Sequence, residues 1–330
     1  MSTDTSASAR RSSSAITGNA IVRVGPVNPT VAQALSEDFG SLILPAPGTE
    51  RESFLQKHGQ DIRVAVCSGK VGVDTELMRA LPNLEAIVNF GVGYDATDVA
   101  QAAERSIPIS NTPDVLTDCV ADTALGLYLM TLRSLGSAER FVRNGTWGGG
   151  ENFALATRAS GKRVGILGLG RIGQAIASRL EAFGCEIHYH NRSEKSDTTY
   201  SYHRSAAELA EATDVLIIAA AGGPQSANLV DADVLSSVGP QGFVVNIARG
   251  SVIDEAALVN ALENNLIAGA GLDVFAHEPA VPQTLLGLEN VVLLPHLGSG
   301  THETRADMAA LTLDNLRSYI NQGTLVTPVA

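Results

Sequence analysis

Residues 161–173 read GKRVGILGLGRIG, and this stretch decides the fold of the chain. The apolar run Val164–Leu167 has the composition of a buried strand, and Gly168, Gly170 and Gly173 form a GxGxxG pattern directly after it. Residues 172–183 then show the apolar spacing of a helix. A glycine-rich turn between a strand and a helix directs backbone N–H groups and the helix dipole at a phosphate. The stretch therefore predicts a dinucleotide-binding site.

Strand-like and helix-like segments alternate on both sides of this stretch, which is typical of parallel βαβ units. Residues 117–144 and 302–322 show longer helical patterns. The predicted strands form a first series at 21–25, 41–45, 62–69, 84–91 and 107–110, and a second series at 162–168, 185–190, 214–220, 242–248, 270–275 and 290–295.

The two series predict two domains, which the length of 330 residues also favours. We expect α/β architecture with two doubly wound parallel sheets and a ligand cleft between them, outside the carboxyl ends of the strands. The predicted boundaries are a disordered tail at 1–19, a first domain at 20–112 and 298–330, and a dinucleotide-binding Rossmann domain at 113–297.

Composition narrows the class of protein. Apolar residues make up 45% and the net charge is −12, so we expect a soluble protein that binds neither nucleic acid nor anionic membranes. Cys67, Cys119 and Cys185 show no paired spacing, which predicts no zinc site and no disulfides and favours the cytoplasm. The Ser-rich start, with Arg10 and Arg11, is interpreted as a disordered tail, with a transit peptide as the alternative.

The end of the second Rossmann strand lacks the acid that holds the ribose hydroxyls of NAD. Asn191, Arg192 and Ser193 occupy this position, and Lys195 follows. A guanidinium and a hydroxyl are good partners for a 2′-phosphate, whereas a carboxylate would repel it. The sequence thus predicts NADP rather than NAD, the alternative being a solvated basic loop.

Three polar side chains follow late strands of the second series. His296 follows the run LLP, Glu278 lies beyond the strand that carries Asp273, and Arg249 follows the run VVNIA. An imidazole near neutral pH can donate a proton, a carboxylate beside it stabilises its protonated form, and a guanidinium matches a carboxylate in two contacts. Because His277 also follows a late strand, the assignment of the proton donor rests on the glycine-rich loop that comes after His296.

These motifs together resemble the D-isomer-specific 2-hydroxyacid dehydrogenase family. The resemblance rests on residues 111–118, 120–122, 161–173, 246–250, 271–279 and 293–301. It implies a flavodoxin-like substrate domain, a Rossmann cofactor domain and a homodimer. The motifs NRS and PHLGSGT resemble those of glyoxylate and hydroxypyruvate reductases, so we expect NADPH-dependent reduction of these 2-oxo acids. The alternatives are larger 2-oxo acids such as hydroxyphenylpyruvate, or a nucleotide-sensing corepressor without metabolic turnover.

The resemblance also implies roles in catalysis. Arg249 binds the carboxylate and carbonyl oxygen of the substrate, Glu278 orients His296, and His296 protonates the new alkoxide. Backbone N–H groups of Val92 and Gly93 hold the substrate carboxylate.

Further residues are implied to meet the substrate or the cofactor. Ser299 lines the substrate pocket, and Asp273 meets the nicotinamide side. Trp147 either plugs a surface groove or reaches the active site of a partner subunit. The cofactor contacts implied are Gly168, Leu169, Gly170, Arg171, Ile172, Gly173, Asn191, Arg192, Ser193, Ile247, Ala248, Arg249, Asp273, His296 and Gly298.

One departure stands out. Relatives carry an apolar-Pro-Leu-Thr tract after the third cofactor strand, where this chain has Ala221, Gly222, Gly223 and Pro224. The departure predicts a looser wall beside the cofactor.

Overall fold

The computed structural model describes residues 16–329, so most of the predicted tail, with its alternative reading as a transit peptide, lies outside the described residues. Residues 16–19 lead into a short 3-10 helix, Gly18–Ala20. The chain divides into two compact units, one formed by the described residues up to Thr112 together with those from Met308 onward, the other by residues 113–307. Within residues 16–329, every helix falls short of the length or apolar character that crossing a bilayer requires.

In the described part of the chain, the first unit contains a five-stranded parallel sheet of order β2-β1-β3-β4-β5, the flavodoxin-like order. Its central strands are buried on both faces, and Val22, Ala65, Cys67 and Ile87 lie in its core. The strands are β1 (Ile21–Arg23), β2 (Leu42–Ile43), β3 (Val64–Ser68), β4 (Ala86–Phe90) and β5 (Ile109–Ser110), and the connecting helices are α1 (Pro29–Glu37), α2 (Thr49–His58), α3 (Thr75–Ala80) and α4 (Val99–Glu104).

The second unit contains, within the described residues, a seven-stranded parallel sheet of order β12-β11-β10-β9-β6-β7-β8. This is the Rossmann order with one strand added, and its direction reverses between β6 and β9. The strands are β6 (Arg163–Leu167), β7 (Glu186–His190), β8 (Ser201–Tyr202), β9 (Val215–Ile218), β10 (Phe243–Asn246), β11 (Gly269–Leu272) and β12 (Val291–Leu293).

Helices cover this sheet through regularly spaced apolar residues. The helix after β6 buries Gly173, Ile176, Ala177 and Leu180, a spacing that places all four on one face. The helices of the unit are α5 (Thr117–Arg133), α6 (Leu135–Arg143), α7 (Arg171–Glu181), α8 (Ala206–Ala212), α9 (Ala232–Val238), α10 (Glu255–Glu263) and α11 (Gln283–Gly287), and α12 (His302–Gln322) begins in this unit. The predicted fold class, two parallel-sheet α/β units, is confirmed.

Two details differ from the sequence-based expectations. The segment 117–144 forms α5 and α6 rather than one helix, because Ser134 between them adopts a left-handed φ of 51° that ends α5. Strand β8 was not expected. It contains two residues, too few for a periodic pattern, and it pairs with β7 at the sheet edge.

Candidate active site

The glycine-rich turn after β6 is closely packed at two of its three glycines. Gly168 has a φ of +102°, and a Cβ there would lie 2.6 Å from the backbone of Ala220. A Cβ at Gly173 would lie 2.2 Å from the carbonyl oxygen of Gly168. Gly170 differs, since a Cβ there would meet no protein atom within 4 Å. The turn is thus fixed in shape and has open space at Gly170, as a site for a pyrophosphate requires.

The first turn of α7 supplies the donors for such a group. Gly170 is its N-cap and Arg171 its first residue, so the backbone N–H groups that begin this helix have no partner inside it. The Leu169 side chain is buried, while the Arg171 guanidinium lies 2.9 Å from the Asp114 carboxylate on the surface. The structure therefore places Leu169, Arg171 and Ile172, all predicted cofactor contacts, at the start of this helix.

Asn191, at the end of β7, holds the glycine turn. Its Oδ1 accepts a hydrogen bond of 2.7 Å from the backbone N–H of Leu169. Arg192 and Ser193 follow and are exposed. Lys195 lies 3.4 Å from Asp197, which compensates its charge. Arg192 and Ser193 therefore remain the groups available to a 2′-phosphate, whereas the Asn191 side chain is engaged by the turn.

The turn after β9 is closed by hydrogen bonds of its own, and the looser wall beside the cofactor that its sequence predicts stays a prediction. The hydroxyl of Ser226 donates to the carbonyl oxygens of Ala221, at 2.6 Å, and Gly223, at 3.1 Å. Gly223 adopts a φ of +133°, which permits the tight path. Ser226 thus closes this turn, which lacks the apolar-Pro-Leu-Thr tract of the relatives.

His296 and Glu278 form a pair beyond the carboxyl ends of β12 and β11. The two carboxylate oxygens of Glu278 lie 2.8 and 2.7 Å from Nδ1 of His296. The side chains are 23% and 19% exposed, so solvent screens the pair only partly. Since Nδ1 is held by the carboxylate, Nε2 is the ring nitrogen that can donate a proton to a ligand.

Asp273, just beyond β11, fixes the loop that follows His296. It is buried, and its two carboxylate oxygens accept backbone N–H groups from Leu297 at 2.7 Å and Gly298 at 2.8 Å. Burial raises the pKa of Asp273 above its ordinary value, although both N–H groups act in the opposite direction. The side chain serves the backbone of this loop, and its contact with nicotinamide stays a prediction. Ser299 follows in the same turn and is half-buried.

Arg249 follows β10 in a turn held by Asn246. The side-chain amide of Asn246 donates to the carbonyl oxygen of Arg249 and accepts the N–H of Ala248, both at 3.0 Å. The side chains of Ile247 and Ala248 are buried.

The same turn packs directly on the segment that leads to Glu278. A Cβ at Gly250 would lie 1.9 Å from the carbonyl carbon of Phe275, so only glycine permits this approach. Glu255, at the start of α10, accepts the N–H of Ala276 at 3.0 Å. The structure thus brings the turn after Arg249 against the segment that carries Glu278.

Val92 and Gly93 lie in the first unit, in the loop after β4. The buried side chain of Asn89 donates to the carbonyl oxygens of Gly91 and Gly93, both at 3.0 Å, and Asn111 donates to that of Val92 at 2.9 Å. With the carbonyl groups held by these amides, the N–H groups of the loop stay available to a ligand. Sequence reasoning missed both amides, together with Asn246 and Glu255. An Asn inside or at the end of an apolar strand was the signal that could have found Asn89 and Asn246.

Two other predicted residues lie at the surface. His277 is exposed in a turn before Glu278, so the structure does not place it with His296. Trp147 begins the short 3-10 helix Trp147–Gly149 and is 64% exposed. It therefore does not plug a groove of its own unit, which corrects that alternative.

Comparisons with known proteins extend over nearly the whole chain. The family model described as "D-isomer specific 2-hydroxyacid dehydrogenase, NAD binding domain" matches residues 125–298. The chain is 45% identical over 309 residues to a hydroxyphenylpyruvate reductase of Plectranthus scutellarioides, covering 94% of this chain and 98% of the relative. It is 47% identical over 280 residues to glyoxylate/hydroxypyruvate reductase A of Arabidopsis thaliana, covering 85% and 89%.

A solved structure is similar over the same extent. It is the NADPH-dependent glyoxylate/hydroxypyruvate reductase of Sinorhizobium meliloti in complex with NADP and malonate. The sequence identity is 46% and the TM-score 0.88, with 94% of this chain and 96% of that chain covered.

Proposed function

Because the chain belongs to the D-isomer specific 2-hydroxyacid dehydrogenase family, we propose that it reduces small 2-oxo acids, glyoxylate and hydroxypyruvate first among them, to 2-hydroxy acids with NADPH. The observation that carries the proposal is the pair of His296 and Glu278, a proton donor held by a carboxylate at the carboxyl end of a Rossmann sheet. The names of the Arabidopsis and Sinorhizobium relatives support these substrates.

In the proposed mechanism, the chain orients the substrate and supplies one proton. The Arg249 guanidinium binds the substrate carboxylate, assisted by backbone N–H groups of Val92 and Gly93. Nε2 of His296 donates its proton to the carbonyl oxygen, and Glu278 stabilises the imidazolium before the transfer. NADPH, when bound, would supply the hydride. His296 increases the rate because its proton neutralises the negative charge that develops on this oxygen.

The residues around the glycine turn fit the cofactor. The open space at Gly170 and the start of α7 suit a pyrophosphate, and a β7 that ends without an acid admits a 2′-phosphate. Arg192 and Ser193 would hold that phosphate. In a protein that prefers NAD, a carboxylate at this position would hold the ribose hydroxyls. The presence of Arg192 and Ser193 instead supports NADPH as the preferred cofactor.

A second substrate is favoured by one specific finding, the 45% identity to a hydroxyphenylpyruvate reductase that the chain covers almost completely. Steady-state loss of NADPH absorbance with glyoxylate, hydroxypyruvate and hydroxyphenylpyruvate separates the two. The proposal predicts the highest kcat/KM with one of the two small acids. A higher kcat/KM with hydroxyphenylpyruvate would establish the second substrate instead, and no turnover with any of the three would contradict the reductase assignment.

The enzyme is proposed to act as a homodimer. None of the residues of α6 is buried, and its apolar side chains Leu135 and Val142 are exposed. Leu155 is fully exposed nearby in sequence, and a cavity of about 610 Å³ is lined by Leu155, Arg140 and the edge strand β12. Exposed leucine and valine side chains beside such a cavity are typical of an interface between subunits. Trp147, on the short helix after α6, would approach the partner subunit's active site.

A cytoplasmic location is part of the proposal. Cys67, Cys119 and Cys185 are free thiols in the described residues, and free thiols persist in reducing compartments. Fractionation of cells that express the chain tests this, and recovery with an organelle would contradict it.

A further inference from the structure

We propose that Gln225 determines cofactor specificity by positioning the Arg192 guanidinium for the 2′-phosphate of NADPH while adding no charge of its own. The inference rests on the proposed function, because it presupposes a cofactor with that phosphate. Gln225 is a positioning residue, since it acts through Arg192.

The contact is a single side-chain hydrogen bond across the switch point of the Rossmann sheet. Nη1 of Arg192 donates to Oε1 of Gln225 at 2.5 Å. Arg192 follows β7 and Gln225 follows β9, and these strands flank β6 on its two sides. The bond therefore links the loops on either side of the glycine turn that would hold the pyrophosphate.

The turn that carries Gln225 has a defined shape. Ser226 closes it through the two hydrogen bonds of its hydroxyl, and its backbone N–H donates to Gly223 at 3.1 Å. At its start, the backbone of Ala220 abuts Gly168. Gln225 is thus presented to Arg192 from a turn whose backbone is fixed by hydrogen bonds.

The neutral amide is the important feature. Arg192 has no carboxylate partner among residues 16–329, so its positive charge is not compensated by the protein. An amide oxygen fixes one N–H of the guanidinium and leaves its other donors for a phosphate. A carboxylate at the same distance would neutralise the cation and repel the 2′-phosphate, which NADH lacks.

The test measures binding rather than turnover, by calorimetry with NADPH, NADH, 2′,5′-ADP and ADP. Gln225→Glu is expected to lower the preference for the 2′-phosphate compounds by about tenfold or more, because it adds a charge. Gln225→Ala is expected to lower it by about two- to fivefold, the low end for one hydrogen bond, because this exposed bond only orients the guanidinium. Gln241→Glu adds the same charge in an exposed turn before β10, at the other end of the sheet, and is expected to leave the preference unchanged.

Arg192→Ala separates the inference from the proposed function. In this background, Gln225→Ala is expected to have little further effect, because the amide acts only through the guanidinium. A wild-type preference that Arg192→Ala abolishes and both Gln225 variants retain would overturn the role of Gln225 alone. A wild-type protein that binds NADPH and NADH equally would overturn the proposed cofactor, and the inference with it.

Discussion

His296 combines a functional side chain with a backbone conformation that non-glycine residues rarely adopt. Its φ is +54°, a strain that costs of order 1–3 kcal/mol unless the surroundings fix it. The surroundings do so from two directions, since Glu278 holds the imidazole and Asp273 holds the two N–H groups that follow. Such strain is retained where it presents a side chain to a ligand, which agrees with a proton donor at this position.

His296→Gln is expected to lower kcat for hydroxypyruvate reduction by about 10²-fold or more, because it removes the general acid. Glu278→Gln should lower kcat by a smaller factor, because it weakens the contact that orients Nδ1 of His296 but leaves the general acid in place. Single-turnover rates with NADPH and with deuterated NADPH, which show that chemistry limits the rate, check both variants. A His296→Gln variant with the kcat of the wild type would contradict the assignment.

In the first unit, Asn89 holds the loop that is proposed to bind the substrate carboxylate. Asn89→Asp replaces an N–H₂ donor with an oxygen that faces the carbonyl groups of Gly91 and Gly93, so the loop of Val92 and Gly93 should lose its shape. We expect KM for the 2-oxo acid to rise about tenfold or more while the Kd of NADPH stays unchanged. Asn83→Asp, at an exposed amide that donates to Gln60, is the matched control. An unchanged KM would show that the loop does not bind the substrate.

At the scale of elements, the sequence predicts the strands that have a clear apolar pattern and the turn that has a glycine motif. The eleven strands of the two predicted series are present, because most of them are continuous apolar runs, and the turn at Gly168–Gly173 lies where its motif predicts. The break at Ser134 and the closed turn at Ser226 were not predictable, since each depends on local hydrogen bonds of one serine that no periodic pattern marks. The short β8 was not predictable because it depends on pairing with a distant segment, β7. For the same reason, the sequence indicated Arg192 but not its partner Gln225.

The break between α5 and α6 makes a stability prediction. Ser134→Gly should stabilise the protein by up to about 1 kcal/mol, because glycine adopts a left-handed φ without a Cβ penalty. Ser236→Gly, at an exposed position within α9, should instead destabilise it by about 0.5 kcal/mol. Urea denaturation of the two variants beside the wild type gives the signs. Destabilisation by Ser134→Gly would mean that the serine side chain supports the break.

At the scale of the whole molecule, an acidic protein has to bind two anionic ligands. The net charge of −12 repels both a 2-oxo acid and NADPH at long range. The compensation is local, because the proposed ligand contacts are guanidinium groups, backbone N–H groups and the start of a helix. Each of these groups attracts an anion within a few ångströms. Salt screens the repulsion that the rest of the protein exerts at longer distances.

The proposed homodimer is tested by placing charge on its apolar surface. Leu135 on α6 and Leu266 after α10 have similar exposure, 44% and 47%. Leu135→Glu should shift sedimentation toward the monomer mass, whereas Leu266→Glu should not, because only the first lies on the proposed interface. A monomeric wild type would contradict the dimer. A Leu135→Glu variant that stays fully dimeric would place the interface elsewhere.

The most direct test of the central claim compares kcat/KM for NADPH and NADH with hydroxypyruvate as substrate. We predict at least about a tenfold preference for NADPH, from one charge-assisted contact between Arg192 and the 2′-phosphate. Turnover that favours NADH would keep the family but contradict the interpretation of residues 191–193. Absence of turnover with either cofactor would contradict the proposed reaction itself.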